Sequence, residues 1–482
     1  MNILLVAVGS RGDAEPFIAL AYKLLTSGHN VYLFLQTDLI WMCPKEPSQL
    51  STSSSSLSSS SSPSPSLSRD QGDLKIYPLP FEQNDFYKFV QNPSHGADHE
   101  NPRVRFTGIV ADVIAELVLP CCENVINIAQ TNNIHALITS ELARSLCFAV
   151  SQKLLIPTYL VHLQALVPTV AFPHYSQIDN SNINCLNSIS NDSDMNSTNL
   201  NSYWELENYQ YDFLKERLDS MYTKMGLNPL TYQELQRMLI GKHQFVFIMN
   251  AFSKHLIPDI RSLDTDIGPN VYHVGALADM YIPNDFVPPD TSTNENGSDL
   301  KSFLLQEPRP LCIGFGSMPF HNVTMILDFL KKNKLRAVLV GTALQLPNDS
   351  EAIKSNNVYQ IDSIPYPWIL PYCQMMICHG GAGVVHATLR AGIPCVIAPF
   401  FGDQFFHADL MKLRGLGNRA GYSNLTSLTM QDLKDGVDEA KECINATKAI
   451  RNQMEKERSG LESFLHIFEN HCSQHQNLEW PN

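Results

Sequence analysis

Short apolar runs that close on glycine alternate along this chain with stretches of helical spacing. The first run, Ile3-Leu4-Leu5-Val6-Ala7-Val8, stops at Gly9. A brief, unbroken apolar run of this kind fits a parallel strand buried on both faces. Over residues 16–27, Phe17, Leu20, Ala21, Leu24 and Leu25 keep helical spacing, with Pro16 suited to a first turn and Gly28 to the stop. Residues 31–35 are the next strand, and strand–helix–strand opens a doubly wound sheet. Helical character then fits 108–131 and 203–240, and strands fit 135–139 and 245–249.

The pattern restarts after a Pro-, Asn- and Ser-rich stretch at 283–298, the best linker candidate. Strands are expected at 311–315, 336–340, 375–378 and 395–398, with helices at 323–333 and 383–391. The final helical run, about 430–470, packs on this second unit and crosses back to the first. The expectation is α/β: two doubly wound, Rossmann-like domains facing across a cleft, at 1–282 and 310–482, joined by a linker at 283–309. Two polar insertions, a Ser-rich one at about 48–68 and an Asn/Ser-rich one at about 176–202, bury too little apolar area to order themselves.

Composition narrows the function. A net charge of −14 over 482 residues argues against nucleic acid as a partner. The eleven cysteines show no CxxC spacing, which fits reduced thiols. No basic region precedes the first apolar run, and no apolar stretch reaches the length of a membrane span. The expected setting is cytoplasmic, with peripheral membrane contact to collect a lipophilic partner.

Two segments carry candidate chemistry. In His379-Gly380-Gly381-Ala382-Gly383 a strand runs through a glycine-rich turn into a helix. Free backbone amides and the positive helix end make an anion site there, suited to a diphosphate, with His379 as an added donor. A tight strand–helix connection around a core histidine reads the same residues without a ligand. The next strand ends in Pro399-Phe400-Phe401-Gly402-Asp403-Gln404. An acid beside an amide at the carboxyl end of a parallel strand suits vicinal hydroxyls. The alternative is that Asp403 caps a helix while Gln404 is solvated. The acid pair Asp264-Thr265-Asp266 reads as solvated charge, so no metal site is expected. The turn Gly9-Ser10-Arg11-Gly12-Asp13 lacks the GxGxxG spacing of a dinucleotide-dependent oxidoreductase.

His379 through Gln404 resembles the donor-binding signature of the GT-B glycosyltransferases, and Pro399 to Gln404 has the form found in sterol 3-beta-glucosyltransferases. Ile313-Gly314-Phe315-Gly316-Ser317-Met318-Pro319 and Ile364-Pro365-Tyr366-Pro367-Trp368 are similar to segments of the same family. Gly9 to Asp13 resembles both the sterol enzymes and glycopeptide-antibiotic glycosyltransferases.

The resemblance implies an inverting hexosyltransferase that needs no metal or cofactor. It would move a hexose, glucose from UDP-glucose, to a hydroxyl of a lipophilic acceptor, with a sterol first among candidates. Another lipophilic or phenolic acceptor, or an inactive nucleotide-sugar- or lipid-binding protein, is the alternative. Residue by residue, it implies Asp13 as general base and Gly316 and Ser317 at a donor phosphate. It implies His379, Gly381, Ala382 and Gly383 at the diphosphate, Asp403 and Gln404 at the sugar, and backbone at Ile364 against the uracil edge. Ser10, Arg11 and Gly12 fall on the donor side, where Arg11 either pairs with an acid or meets the donor. Trp368 is either a base-stacking platform or a core anchor. His174, in Phe172-Pro173-His174, resembles an acceptor-side motif, and a surface histidine reads equally well. The chain departs from the sterol enzymes at Cys378, where they carry a histidine, and at Val384-Val385, where they carry small hydroxyl residues.

Overall fold

In the computed structural model the described residues are 1–44, 72–91, 93–95, 102–177, 193–257, 266–283, 285–287, 300–318, 320–346, 357–400, 402–419 and 425–474. The Ser-rich segment 48–68 lies outside them, as do 178–192, most of 284–299, and Asp264 and Thr265.

The first unit runs β1 (Asn2–Val6), α1 (Arg11–Thr26), β2 (Asn30–Gln36), β3 (Leu74–Leu79), α2 (Gln83–Gln91), α3 (Pro102–Val113), α4 (Cys122–Thr131), β4 (Ala136–Ser140), α5 (Arg144–Leu154), β5 (Thr158–His162), α6 (Ser193–Lys224), α7 (Tyr232–Leu239), β6 (Val246–Asn250) and β7 (Val271–His273). Its strands form one parallel sheet in the order β3-β2-β1-β4-β5-β6-β7. The second unit runs α8 (Leu300–Leu305), β8 (Leu311–Gly314), α9 (Val323–Asn333), β9 (Ala337–Val340), β10 (Val358–Ile361), α10 (Tyr366–Ile369), β11 (Met375–Cys378), α11 (Ala382–Ala391), β12 (Cys395–Ile397), α12 (Gln404–Leu413), β13 (Gly417–Arg419), α13 (Met430–Lys441), α14 (Ile444–Met454) and α15 (Gly460–Gln474). Its parallel sheet has the order β10-β9-β8-β11-β12-β13.

Both orders reverse direction beside the first strand of their unit. In such sheets the crevice outside the carboxyl ends, at the reversal, is where ligands bind. Register brings the relevant turns together. Val6 stands opposite Thr139, so the turn after β1 emerges beside Ser140-Glu141. Cys378 stands opposite Gly314, so the turns after β8 and β11 are neighbours. The central strands are fully buried, as runs covered by helices on both faces must be.

Three expectations change. Helix α1 begins at Arg11, so Pro16 lies inside it rather than at its first turn. The start is set by Asp13, whose carboxylate reaches back to the Ser10 N–H in the manner of a capping box. The insertion expected at 176–202 contains the first residues of α6, Ser193 onward. Asn199 donates to the Val170 carbonyl at 3.0 Å, a tertiary contact that ties this polar stretch down. The stretch read as linker includes α8, whose Leu300, Phe303 and Leu304 are buried, with the Phe303 ring 5.7 Å from Tyr359 of β10.

Helix α15 returns to the first unit, burying Phe464, Leu465 and Phe468 among residues of α1 and the first sheet. At its start, a Cβ on Gly460 would fall 2.5 Å from the Gly275 carbonyl oxygen, so two chain segments cross where glycine lets them touch. Ten of the eleven cysteines lie in described residues, and all ten are free thiols.

Candidate active site

The first unit contributes a carboxylate. Beyond β1, the Val8 N–H donates to Ser140 Oγ at 2.9 Å and the Gly9 N–H to Gln36 Oε1 at 2.7 Å. Gly9 has φ +145°, and a Cβ there would lie 2.6 Å from that of Asp13. Glycine is therefore what admits the Asp13 side chain into the turn. Asp13 Oδ2 accepts from the Ser10 N–H at 2.7 Å and from Ser10 Oγ at 2.9 Å. Burial pushes Asp13 up to about 6, the two Ser10 bonds oppose that, and the carboxylate of Asp403 across the cleft adds to the rise. Such a group is ionised at neutral pH yet more basic than an ordinary carboxylate.

The second unit contributes an anion cradle. Gly316 (φ +60°) and Ser317 are exposed beyond β8. Gly381 is the N-cap of α11 and its first-turn amides have no side-chain cap. A Cβ on Gly316 would meet His379 Cε1 at 3.0 Å, and one on Gly381 would meet Nε2 at 2.7 Å. The imidazole thus lies against both glycine turns. Nothing approaches within 4 Å of where a Cβ on Gly383 would stand, so the approach to this turn is open, as that to Ala382 beside it is in part. Burial and the neighbouring His407 push His379 down to about 4, against the backbone of Gly314. The ring is neutral at pH 7 and can donate without carrying charge. Cys378 and Val385 point into the core, Cys378 Sγ lying 3.5 Å from Cys395 Sγ, and Val384 is nearly as buried.

Asp403 stands at the N-cap of α12, but its side chain makes no capping hydrogen bond. It is largely buried. Burial pushes it up to about 6, moderated by a hydrogen bond from the Gln164 side chain of the first unit. Gln404 is buried rather than solvated: Oε1 accepts from the Phe400 N–H at 2.8 Å, and Nε2 approaches Met318 Sδ at 3.5 Å. His407, one turn beyond Asp403, has Nδ1 2.9 Å from the Gly380 carbonyl and 3.7 Å from Asp403 Oδ2, tying the glycine turn to the acid.

The remaining candidates line the cleft. Arg11 Nη1 donates to Ser363 Oγ at 2.8 Å, joining the two units beside the buried Ile364, and its Nε lies 4.0 Å from Glu15. Gly12, in the first turn of α1, is exposed. Trp368 packs against Phe286 and Tyr372, each ring pair at 5.7 Å, which makes it an anchor under the loop. His174 is half-buried, not a surface residue. Its Nδ1 lies 2.8 Å from Ser176 Oγ, and its ring sits 4.3 Å from Tyr175 and 5.2 Å from Tyr203. Asp266, read as solvated charge, pairs with Lys242 at 2.6 Å. Among the described residues no group of three or more His, Cys, Asp or Glu could hold a metal, and no helix is long and apolar enough to cross a membrane.

The sequence reading missed a buried polar cluster at the ends of β4 and β5. Arg144 lies between Glu141 (2.5 Å) and Glu207 (2.6 Å), and His162 is 3.1 Å from Glu141. Burial would raise Glu141, but Arg144 and His162 outweigh it and hold the carboxylate below its ordinary range. The available signal was Glu141 itself, an acid directly after a strand.

Comparison with known proteins fits this geometry. Residues 338–462 match the family described as erythromycin biosynthesis protein CIII-like, C-terminal domain. A sterol 3-beta-glucosyltransferase of Arabidopsis thaliana is 26% identical over 432 residues, covering 86% of this chain and 59% of its own length. A UDP-sugar-dependent glycosyltransferase of Dictyostelium discoideum is 24% identical over 469 residues, covering 89% of this chain and 24% of its own. The chain thus spans about three-fifths of the first relative and a quarter of the second. The crystal structure of a Streptomyces glycosyltransferase, SsfS6, complexed with thymidine diphosphate, superposes with a TM-score of 0.57 at 14% identity, covering 98% of this chain and 99% of that one. Two parallel Rossmann-like sheets with this cleft define the GT-B fold. Within it, the sequence is similar to sterol 3-beta-glucosyltransferases, at 26% identity over 86% of this chain for the Arabidopsis enzyme.

Proposed function

We propose that this protein is an inverting glycosyltransferase that moves glucose from UDP-glucose to a hydroxyl of a lipophilic acceptor, a sterol first among them. The observation that carries the reading is the pairing, across one cleft, of the Asp13 carboxylate with the uncapped glycine turn of α11 and Asp403. The sequence relationship to a sterol glucosyltransferase and to a UDP-sugar-dependent enzyme supports the choice of acceptor and donor. The bound thymidine diphosphate of SsfS6 supports a nucleoside diphosphate in this fold.

In this mechanism the diphosphate lies at the first-turn amides of α11, beside His379 and Ser317. Asp403 and Gln404 take the hexose hydroxyls, and Gln404 Oε1 also braces the loop through the Phe400 N–H. The acceptor oxygen attacks the anomeric carbon from the face opposite the diphosphate, and Asp13 takes its proton as the new bond forms. General-base assistance of this kind is worth about 100- to 10,000-fold. The bond to the diphosphate breaks, and the charge left on it is met by dipoles already in place.

The test incubates the purified 482-residue chain with UDP-glucose and a panel of sterols, terpenoid alcohols and phenolics, with and without EDTA. A β-linked steryl glucoside, formed equally in both, is expected. Product only on phenolics would replace the sterol assignment. No product on any acceptor, with UDP still bound, would favour a binding protein.

A further inference from the structure

The segment from Leu163 to Gln177 leaves β5 at the carboxyl end of the first sheet, yet it packs with the second unit. Ala165, Val167, Ala171 and Phe172 belong to the same buried core as Phe406, Ala408 and Leu410 of α12. Phe172 and Phe406 have ring centroids 5.8 Å apart. Tyr175, at the far end of the segment, is half-buried against that core. The segment is held from the other side too, where the His174 N–H donates to Ser202 Oγ at 2.8 Å. It is a strap, fixed at both ends, laid across the mouth of the helix that Asp403 opens.

Two polar side chains of this strap face the acids of the cleft. The Gln164 amide donates to Asp403. Tyr175 is half-buried at the far end of the strap, and burial together with the negative charge of Asp403, Glu141, Asp13 and Glu207 drives the ionisation of its phenol far up. It therefore stays a neutral O–H donor at any physiological pH. A carboxylate bonded to an amide, with a phenol on the same strap within its electrostatic reach, offers the acceptor and donors that a hexose, with hydroxyls that both give and accept, requires.

Resting on the donor reading above, we propose that Gln164 and Tyr175 supply the first unit's half of the hexose subsite, opposite Asp403. The sugar is then gripped by both units. Because the strap and α12 share one core, the two halves keep their spacing. Gln164 holds the place on Asp403 that a sugar hydroxyl takes over. These two residues contact the hexose and leave the nucleotide alone.

Calorimetric titration of the whole chain with UDP and with UDP-glucose separates the possibilities, using wild type, Tyr175→Phe and Gln164→Ala. Tyr175→Phe keeps the ring, so packing survives, and circular dichroism verifies the fold of both variants. Each variant should weaken UDP-glucose by about 5- to 30-fold, the worth of one lost hydrogen bond, while UDP itself changes by less than about twofold. Both should also narrow the preference for UDP-glucose over UDP-galactose. Variant curves that superimpose on wild type for both ligands, or equal weakening of UDP and UDP-glucose, would overturn the strap's role alone. A wild-type chain that binds neither ligand would instead overturn the donor reading, and this proposal with it.

Discussion

Asp13 takes both of its closest hydrogen bonds from one residue: Ser10 donates its N–H at 2.7 Å and its Oγ at 2.9 Å to the same oxygen, Oδ2. The helix cap and the proposed base are therefore one side chain. Both bonds favour the carboxylate form, whereas burial and Asp403 favour the acid form. The group settles near 6, and its basicity can be pushed in either direction.

That balance sets a prediction with two opposite signs. A base must be unprotonated, so transfer should fall as pH drops through about 6, following Asp13. Ser10→Ala removes a bond to the charged form, raises the Asp13 pKa and moves this acidic limb to higher pH. Asp403→Asn removes a neighbouring negative charge, lowers the Asp13 pKa and moves the limb to lower pH. Rate profiles at saturating donor measure both. Shifts in the same direction would show that the limb belongs to another group.

Gly9 is the second point of leverage. A Cβ at this residue would lie 2.6 Å from that of Asp13, and φ +145° is strained for any L side chain. Gly9→Ala should lower kcat by about tenfold or more by displacing the base, the sensitivity expected when a reacting group moves by about an ångström. UDP affinity, set in the other unit, should stay within about twofold of wild type, a margin well below the worth of one hydrogen bond. Calorimetry beside steady-state kinetics checks the split.

His379 should act as a neutral donor. Its pKa, held down to about 4 chiefly by burial, leaves it uncharged around neutral pH. His379→Ala should weaken UDP by about 5- to 30-fold through the lost hydrogen bond. The ratio of variant to wild-type Kd should be constant from about pH 6 to 8, since a neutral ring does not titrate there. A ratio that grows as pH falls would mean that a charged imidazole holds the phosphate.

Much of this was legible in the sequence because strands that end on glycine announce themselves. The runs before Gly9 and before Gly380 led straight to the two turns that face the cleft. Edge strands were harder. Leu74–Leu79 is only partly buried and contains Pro78, which argues against a strand interior. The start of α1 was hidden because Pro16 suited a first turn, while the true signal was the reach of Asp13 back to Ser10. The opening of α6 looked disordered because its residues are Asn and Ser. Their order comes from contacts such as Asn199 with Val170, which no local pattern reports. Gln164 and Tyr175 lie in a segment with no strand or helix periodicity, and the bond of Gln164 to Asp403 exists only after the segment has crossed to α12.

The central claim is that Asp13 accepts the acceptor's proton. Asp13→Asn tests it most directly, because the amide oxygen can still accept from Ser10 and keep the helix cap. Single-turnover transfer with donor saturating should fall by about 100-fold or more, the scale of general-base assistance, with UDP affinity unchanged. A variant that transfers at the wild-type rate would contradict the account.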